Sequence, residues 1–520
     1  MLGASDYLLG AAETAAVLAA AAAGATRVRA RLLPGWSGPP GWLADALLAA
    51  ALLLWMAELL GAFGLFEEVS YVVCVVAAGL GLRLLVGMPA AAAGADASTR
   101  AATSCPPAPP SGTALTAAAL AVAGLAVAHW SIGVRLALDT GITNFDSTWY
   151  HGPFAALFAQ SGSTFDLEFI APQFLAWFYP ANSELLHGAG ILAFGRDILS
   201  PLLNLGWLCG TLLAAWCVGR PHGVGPLSLI GVAAVLVSGS LADQSGSMRN
   251  DIPAIFFLLL AVAVAVNARA AGREGWLAPG ALVVVGLAAG LAAGVKLNYL
   301  APAAGLAVGL TVIAPAASRR RTAAMVGLPL LAGCGYWFLR NLVHAGSPLP
   351  WVKSVGPLSL PAPDQALGGR EQHSVLSYVL DGSVWDDWFF GGLHDALGTL
   401  WPLLVVLGLA GLAACFARGR EPLLRVLGVV GVSCVVAWAA SPASASGPEG
   451  MPLGFESGLR YLAPGLILGL ALLPVAAGPG GGRALVLLAA LLAALACADS
   501  SGLPWYSGYV AGALAAGAAA

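Results

Sequence analysis

Asp146 stands in the stretch NFDSTWYH, with Trp149, Tyr150 and His151 close behind it. A second carboxylate, Asp251, has a similar setting in GSMRNDIPAIFF. Only 9% of the chain is charged, so each such residue calls for an account. A carboxylate fixed beside a hydroxyl is a general base. The plainer readings are a solvated loop acid for Asp146 and a helix cap for Asp251. Three cations stand at ends of apolar runs: Lys296 in GLAAGVK, Arg340 in YWFLRNLVHAGSPLP and Arg460 in ESGLRYLAPG. Snorkelling explains a lone cation at such a place. Three together suit an anionic group such as a lipid phosphate. Glu184 and His187 have ExxH spacing, which puts both on one helix face. A two-metal bundle needs two such motifs, and only one is evident, so a divalent metal is not favoured. Tyr150, His151, Asn182, Glu184, His187 and Asn250 complete the expected substrate pocket.

The elements that position these residues are written in the hydropathy. The 520 residues are 59% hydrophobic, and the mean hydropathy is +0.84. A soluble domain is about half apolar and about a quarter charged. Runs of about 20 apolar residues, the length that spans a bilayer, recur along the chain. The expected class is an all-α polytopic membrane protein. Spans are expected near 7–24, 43–65, 69–87, 113–138, 198–219, 225–242, 252–267, 278–295, 298–315, 323–339, 396–416, 424–441, 459–477 and 484–499, about fourteen in all. The Ala- and Gly-rich runs predict close helix packing through small residues.

The positive-inside rule orients this list. Arg27, Arg29 and Arg31 follow the first span, which places the N-terminus outside. The expected cytoplasmic loops then receive Arg100, Arg220, Arg269, Arg273, Arg319, Arg320, Arg321, Arg418, Arg420, Arg425 and Arg483. Most acids fall on the other side, among them Asp146, Asp166, Glu184, Asp251, Asp364, Glu371 and Glu456. The long loops 139–197, 341–395 and 442–458 are also outside, and long loops on rigid helices carry sites. Residues 148–160 read as a short amphipathic interfacial helix, and 171–190 as an aromatic belt with a second short helix. Interfacial anchoring is the plain role for Trp149, Trp177 and Tyr179. The segment 88–112 is rich in Pro, Ser and Ala and reads as a linker.

Other classes lack their signatures. The eight cysteines form no CxxC, and most lie inside apolar runs, where they read as small apolar residues. There is no GxxxxGK[ST], no stretch suited to a dinucleotide fold and no basic patch for nucleic acid.

Asp146, Tyr150, Gln160 and Gly162 resemble the first outer loop of GT-C fold glycosyltransferases, the group that includes protein O-mannosyltransferases and aminoarabinose transferases. RNDIPAIFF resembles their second acidic motif, and GLAAGVKLNYL, WFLRNLVHAGSPLP and LRYLAPGL resemble recurrent segments of the bacterial members. Two features depart from the pattern. Ser147 stands where an acid commonly follows the first, and three spans precede the motif-bearing region. The resemblance implies transfer of a sugar from a polyprenyl phosphate to an acceptor hydroxyl on a glycan, lipid or protein, outside the cytoplasm and with inversion. Asp146 would be the base, Asp251 would assist, and Lys296, Arg340 and Arg460 would hold the phosphate. The expected organisation is a three-helix region and linker (1–112), a core with the catalytic loop (113–340), an outer lid (341–395) and C-terminal helices (396–520). A transporter or lipid flippase is the alternative, with Glu13 and Glu58 as its intramembrane acids.

Overall fold

The computed structural model describes residues 3–87, 111–171, 175–272, 275–363 and 373–478, with a few scattered positions besides. Arg100, Arg273, Asp364, Arg370, Glu371, Arg483, Cys105, Cys497, most of the linker 88–112 and the expected span 484–499 lie outside the described residues. Apart from a hairpin of two-residue strands, Ser354–Val355 and Leu358–Ser359, the regular structure of the described residues is helical.

Among the described residues, eight helices are long and apolar enough to cross a membrane. They are α1 (Ala4–Leu32), α2 (Gly38–Ala62), α3 (Glu68–Leu85), α4 (Thr113–Thr140), α7 (Ser200–Gly219), α9 (Asp251–Ala270), α12 (Arg319–Ala345) and α15 (Pro422–Ala440). Between them lie α5 (Gly152–Ser161), α6 (Asn182–Phe194), α8 (Gly225–Leu236), α10 (Pro279–Val295), α11 (Leu300–Ile313), α13 (Phe390–Leu397) and α14 (Trp401–Ala414), and α16 (Ala463–Ala477) ends the described fold. Two bent pairs raise the span number to ten: the segment through α13 with α14, at 84°, and Phe455–Tyr461 with α16, at 44°. Fourteen full spans are therefore not seen among the described residues. The runs at 225–242, 278–295 and 298–315 form helices of 10–17 residues, shorter than a bilayer needs. Hydropathy marked these runs correctly as apolar but did not give their helical length.

The centre of the bundle is α9. Its sequence is apolar on every side, which is the pattern of a helix with no solvent face. Every residue from Asp251 to Ala268 is buried. It packs on α7 and α10, and α10 packs on α12. Glycines set that last approach. A Cβ on Gly290 would stand 2.1 Å from the Leu330 carbonyl oxygen, and one on Gly294 would stand 2.4 Å from that of Gly333. Gly290→Ala is expected to cost about 1–3 kcal/mol through overpacking. A lowered thermal unfolding midpoint in detergent is the check, and an unchanged midpoint would contradict the close approach.

Lys296 breaks the α10–α11 run. It is extended (φ −151°, ψ 131°) and leads into a single turn at Leu297–Tyr299. The loop end of α10 is thereby brought over the start of α9. On the N-terminal side, α1, α2, α3, α6 and α7 enclose an apolar groove of about 1490 Å³, counting its open side. Glu13 and Glu68 are the acids on its wall, whereas Glu58 is buried on α2.

Candidate active site

Asp146 begins a wide helical turn, Ser147–His151, that runs into α5. The amphipathic helix expected at 148–160 is thus this turn followed by a regular helix. Phe154 and Phe158 face inward and are buried. Gly162 stops α5 with φ +69°, and its carbonyl accepts the Phe66 N–H at 2.9 Å. That bond ties the loop to the α2–α3 connection. Ser147 is buried, and its hydroxyl accepts the Met248 N–H at 2.9 Å. A short hydroxyl at this position therefore docks the Asp146 loop onto the segment that carries Arg249.

That segment is held from a second side. The Asn204 amide on α7 faces the carbonyls of Gln244, Ser247 and Arg249 at 3.0–3.1 Å. The Gln244 side-chain oxygen accepts the Ile252 N–H at 3.3 Å, at the first turn of α9. Asp251 is consequently fixed at the head of the most buried helix.

The two acids meet at one guanidinium. Arg460 pairs directly with Asp146, and its Nε is 3.9 Å from Asp251 Oδ2. Lys296 Nζ pairs with the other oxygen of Asp251. Arg249 Nε lies 3.4 Å from Asp146 and also reaches the exposed Asp243. Asp251 is 2% exposed and Arg460 9%. Within this enclosed set two carboxylates face three cations. The Tyr461 ring supports the cations, with Lys296 Nζ 4.7 Å and Arg460 Cζ 5.0 Å from its centroid.

Burial works to raise the Asp146 carboxyl, but the charges of Arg460 and Arg249 override it and hold the pKa at about 2. Asp146 is therefore ionised at every ordinary pH. Because the folded-state value is depressed, the pairing stabilises fully above the unfolded value, about 4, and is lost as pH falls through about 2. The unfolding midpoints of wild type and Asp146→Asn are expected to differ by a constant amount from about pH 8 to about pH 5. The gap should narrow only toward about pH 3. A gap that closes near neutrality would contradict the pairing. Burial, with Asp146 beside it, pushes the Tyr150 phenol well above its ordinary value. Tyr150 is thus a proton donor here and not a base.

Other expected residues sort differently. Arg340 does not join Lys296 and Arg460. It is 2% exposed and directs its guanidinium at the carbonyls of Thr164, Trp177 and Tyr179, over the Trp337 ring. The irregular loop leaves those carbonyls without ladder partners, and a buried carbonyl needs a donor. Asn182 is not a pocket residue either. Its amide donates to Gly333 O at 3.1 Å and its oxygen accepts Trp337 Nε1 at 2.6 Å, so it pins α6 to α12. Trp177 is buried instead of anchoring at an interface, and Tyr179 packs on Trp351 at 5.4 Å. Glu184 and His187 do not act as a pair. His151 Nδ1 pairs with Glu184 Oε1, and Asn250 Nδ2 approaches the same oxygen at 3.4 Å. Both ring nitrogens of His187 are buried without partners. Burial, helped by the charge of His151, lowers the His187 imidazole to about 3 and keeps it neutral. Among the described residues, no group of three or more His, Cys, Asp or Glu side chains is placed to hold a metal ion.

The segment before α13 packs beside this cluster. Phe389 stacks on Phe455 at 4.1 Å, just upstream of Arg460. Sequence reading left Arg249, Tyr461, Asn204 and Gln244 out of the site. Arg249 had a usable signal, a cation two residues before the second acid. The others had none, because amides and rings at helix ends are common.

No family model matches the chain, and no curated protein or solved structure is significantly similar to it.

Proposed function

We propose that this multi-span membrane protein is a glycosyltransferase of GT-C type. It moves a sugar from a polyprenyl-phosphate carrier to an acceptor hydroxyl on the extracytoplasmic side. The observation that carries the reading is the meeting of Asp146, from the turn before α5, and Asp251, from the head of α9, at Arg460, with Lys296 and Arg249 alongside. An acceptor hydroxyl is a weak nucleophile and needs a base. The departing lipid phosphate gains charge and needs fixed cations. Both are present in one enclosed cluster. The Arg-rich loops expected on the opposite side support the sidedness.

The step is a single displacement. The acceptor oxygen attacks the anomeric carbon and forms the new C–O bond as the bond from that carbon to the phosphate oxygen breaks. The hydroxyl proton passes to Asp146, the bonding pair leaves with the lipid phosphate, and the anomeric centre inverts. A carboxylate held at about 2 is a poor base. An incoming phosphate competes with Asp146 for Arg460, and as the guanidinium turns to the phosphate the carboxylate is released to accept the proton. Asp251 keeps Lys296 in place meanwhile.

The test is reconstitution of the full chain in proteoliposomes with a panel of labelled polyprenyl-phosphate sugars and extracted cell-envelope acceptors. Release of polyprenyl phosphate together with labelled acceptor is expected. Carrier consumption that stays at the level of empty liposomes would overturn the reading. A lipid-transport reading draws on the apolar groove by α1–α3. Movement of label across the bilayer with no change in its chemistry would favour that alternative.

A further inference from the structure

The turn that carries Asp146 is wider than an α-helix. The Gly152 N–H donates to the Ser147 carbonyl, five residues back instead of four. In a regular helix, residues five apart point about 140° away from each other. The wider turn reduces that angle, so Asp146 and His151, at its two ends, come toward one face. The charge of His151 accordingly acts on the Asp146 carboxyl. Turns of this kind recur at functional sites. His151 is 1% exposed, and its Nδ1 pairs with Glu184 Oε1 on α6. The Asn250 amide approaches the same oxygen at 3.4 Å. An oxygen that takes an amide N–H is an acceptor, so the imidazole proton belongs on Nδ1. Nε2 is then the basic nitrogen, and it makes no hydrogen bond among the described residues. Glu184 is 3% exposed and its Oε2 has no partner. A buried carboxylate so sparsely paired holds an imidazolium far more strongly than a neutral ring. This is a carboxylate orienting an imidazole whose second nitrogen stays free. The transfer step leaves a proton on Asp146, and Arg460 cannot re-form its pair until that proton goes. An imidazole is ordinarily more basic than a carboxylate, about 6.5 against about 3.9, so the proton passes downhill to a neighbouring ring.

We propose that His151, oriented by Glu184, is the second acceptor of the reaction's proton: it takes the proton from Asp146 and leaves that carboxylate ready to pair again with Arg460. The proposal rests on the transferase reading and adds a step after the displacement. The O–H bond of the Asp146 acid breaks, its electron pair stays on Asp146, and an N–H bond forms at His151 Nε2. The imidazolium remains paired with Glu184 until the product leaves, and water then removes the proton. Neither residue touches the sugar: Glu184 positions the imidazole, and His151 acts through Asp146.

The experiment has two arms. The first is ¹⁵N NMR of the full chain in nanodiscs, labelled at histidine, with the His151 signal identified by its loss in His151→Gln and its displacement in Glu184→Gln. At about pH 9 the neutral ring is expected to carry its proton on Nδ1. In Asp146→Asn its titration midpoint should move to lower pH, because a neighbouring negative charge is gone. A proton on Nε2, or an unchanged midpoint, would overturn the relay. The second arm is the pH profile of kcat. Asp146, held at about 2, and His187, at about 3, titrate too low to shape it above about pH 5. Burial pushes the Tyr150 and Tyr179 phenols up, out of the way, and Arg249 and Arg460 stay charged throughout. An acid limb above about pH 5 is therefore expected from the His151–Glu184 pair itself. His151→Gln should remove that limb and lower kcat about tenfold or more, with the donor KM unchanged. Glu184→Gln keeps the side chain's shape and serves where His151→Gln fails to fold; its kcat should fall by a similar factor. Full kcat with an intact limb in either variant removes the relay and leaves the transferase. A wild type that transfers no sugar, yet keeps the Nδ1 proton and the Asp146-dependent midpoint, supports the proton link and removes the transferase.

Discussion

Asp146→Asn is expected to lower kcat for sugar transfer by about 10²–10⁴-fold, the range that a positioned general base contributes. The amide keeps the shape and one acceptor oxygen, so the loop docked by Ser147 and Met248 stays in place. What is lost is the proton acceptor and one negative charge between Arg460 and Arg249. Donor binding should survive or tighten, because Arg460 no longer has to leave a carboxylate to reach a phosphate. A fall in kcat with KM for the donor equal or lower is therefore the expected signature. A rise in KM with kcat unchanged would assign Asp146 to ground-state binding. Size-exclusion behaviour and thermal unfolding of the variant establish that the comparison is between folded proteins.

Arg460→Gln is expected to act on both stability and rate. Arg460 is the one side chain that pairs with both acids among the described residues. Removing one partner of a buried ion pair costs about 3–5 kcal/mol. The low end, about 3 kcal/mol, is expected because Lys296 still holds Asp251 and Arg249 still holds Asp146. On the rate, loss of a fixed donor to a developing oxyanion costs about 10²–10³-fold in kcat. Arg460→Lys keeps the charge and loses the planar fork, so it should recover stability before it recovers rate. Full activity in Arg460→Gln would detach this residue from the leaving group. Unfolding at the wild-type temperature would detach it from the acids.

Why these residues meet was partly legible in the sequence. Asp251 heads an unbroken apolar run that is followed by Arg269, and that order gives the helix, its burial and its polarity. Lys296 ends one apolar run and Arg460 begins another, both on the side expected to lie opposite the Arg-rich loops, so hydropathy and charge alone put them at the level of Asp146 and Asp251. Arg340 satisfied the same pattern and is employed differently. What decides its role is the need of the Thr164, Trp177 and Tyr179 carbonyls for a donor. That need arises from the path of an irregular loop, which leaves no periodic signal. Asn182 shows the same limit: its partners, Gly333 and Trp337, lie on a helix far along the chain. Span length failed for a related reason. The run 225–242 is apolar on average, yet its main helix stops at Leu236, just before Ser238, Gly239 and Ser240, where the chain turns toward the segment that carries Arg249. The split at Lys296, in contrast, was visible as a cation between two apolar runs.

The central claim is that Arg460 exchanges Asp146 for a lipid phosphate. The most direct measurement is a cryo-electron microscopy structure of the full chain in nanodiscs with a non-hydrolysable polyprenyl-phosphonate sugar. The expected map shows the phosphonate against Arg460 and Lys296, with the Asp146 carboxylate free of Arg460 and facing the anomeric carbon. A phosphonate bound elsewhere, with Arg460 still paired to Asp146, would contradict it.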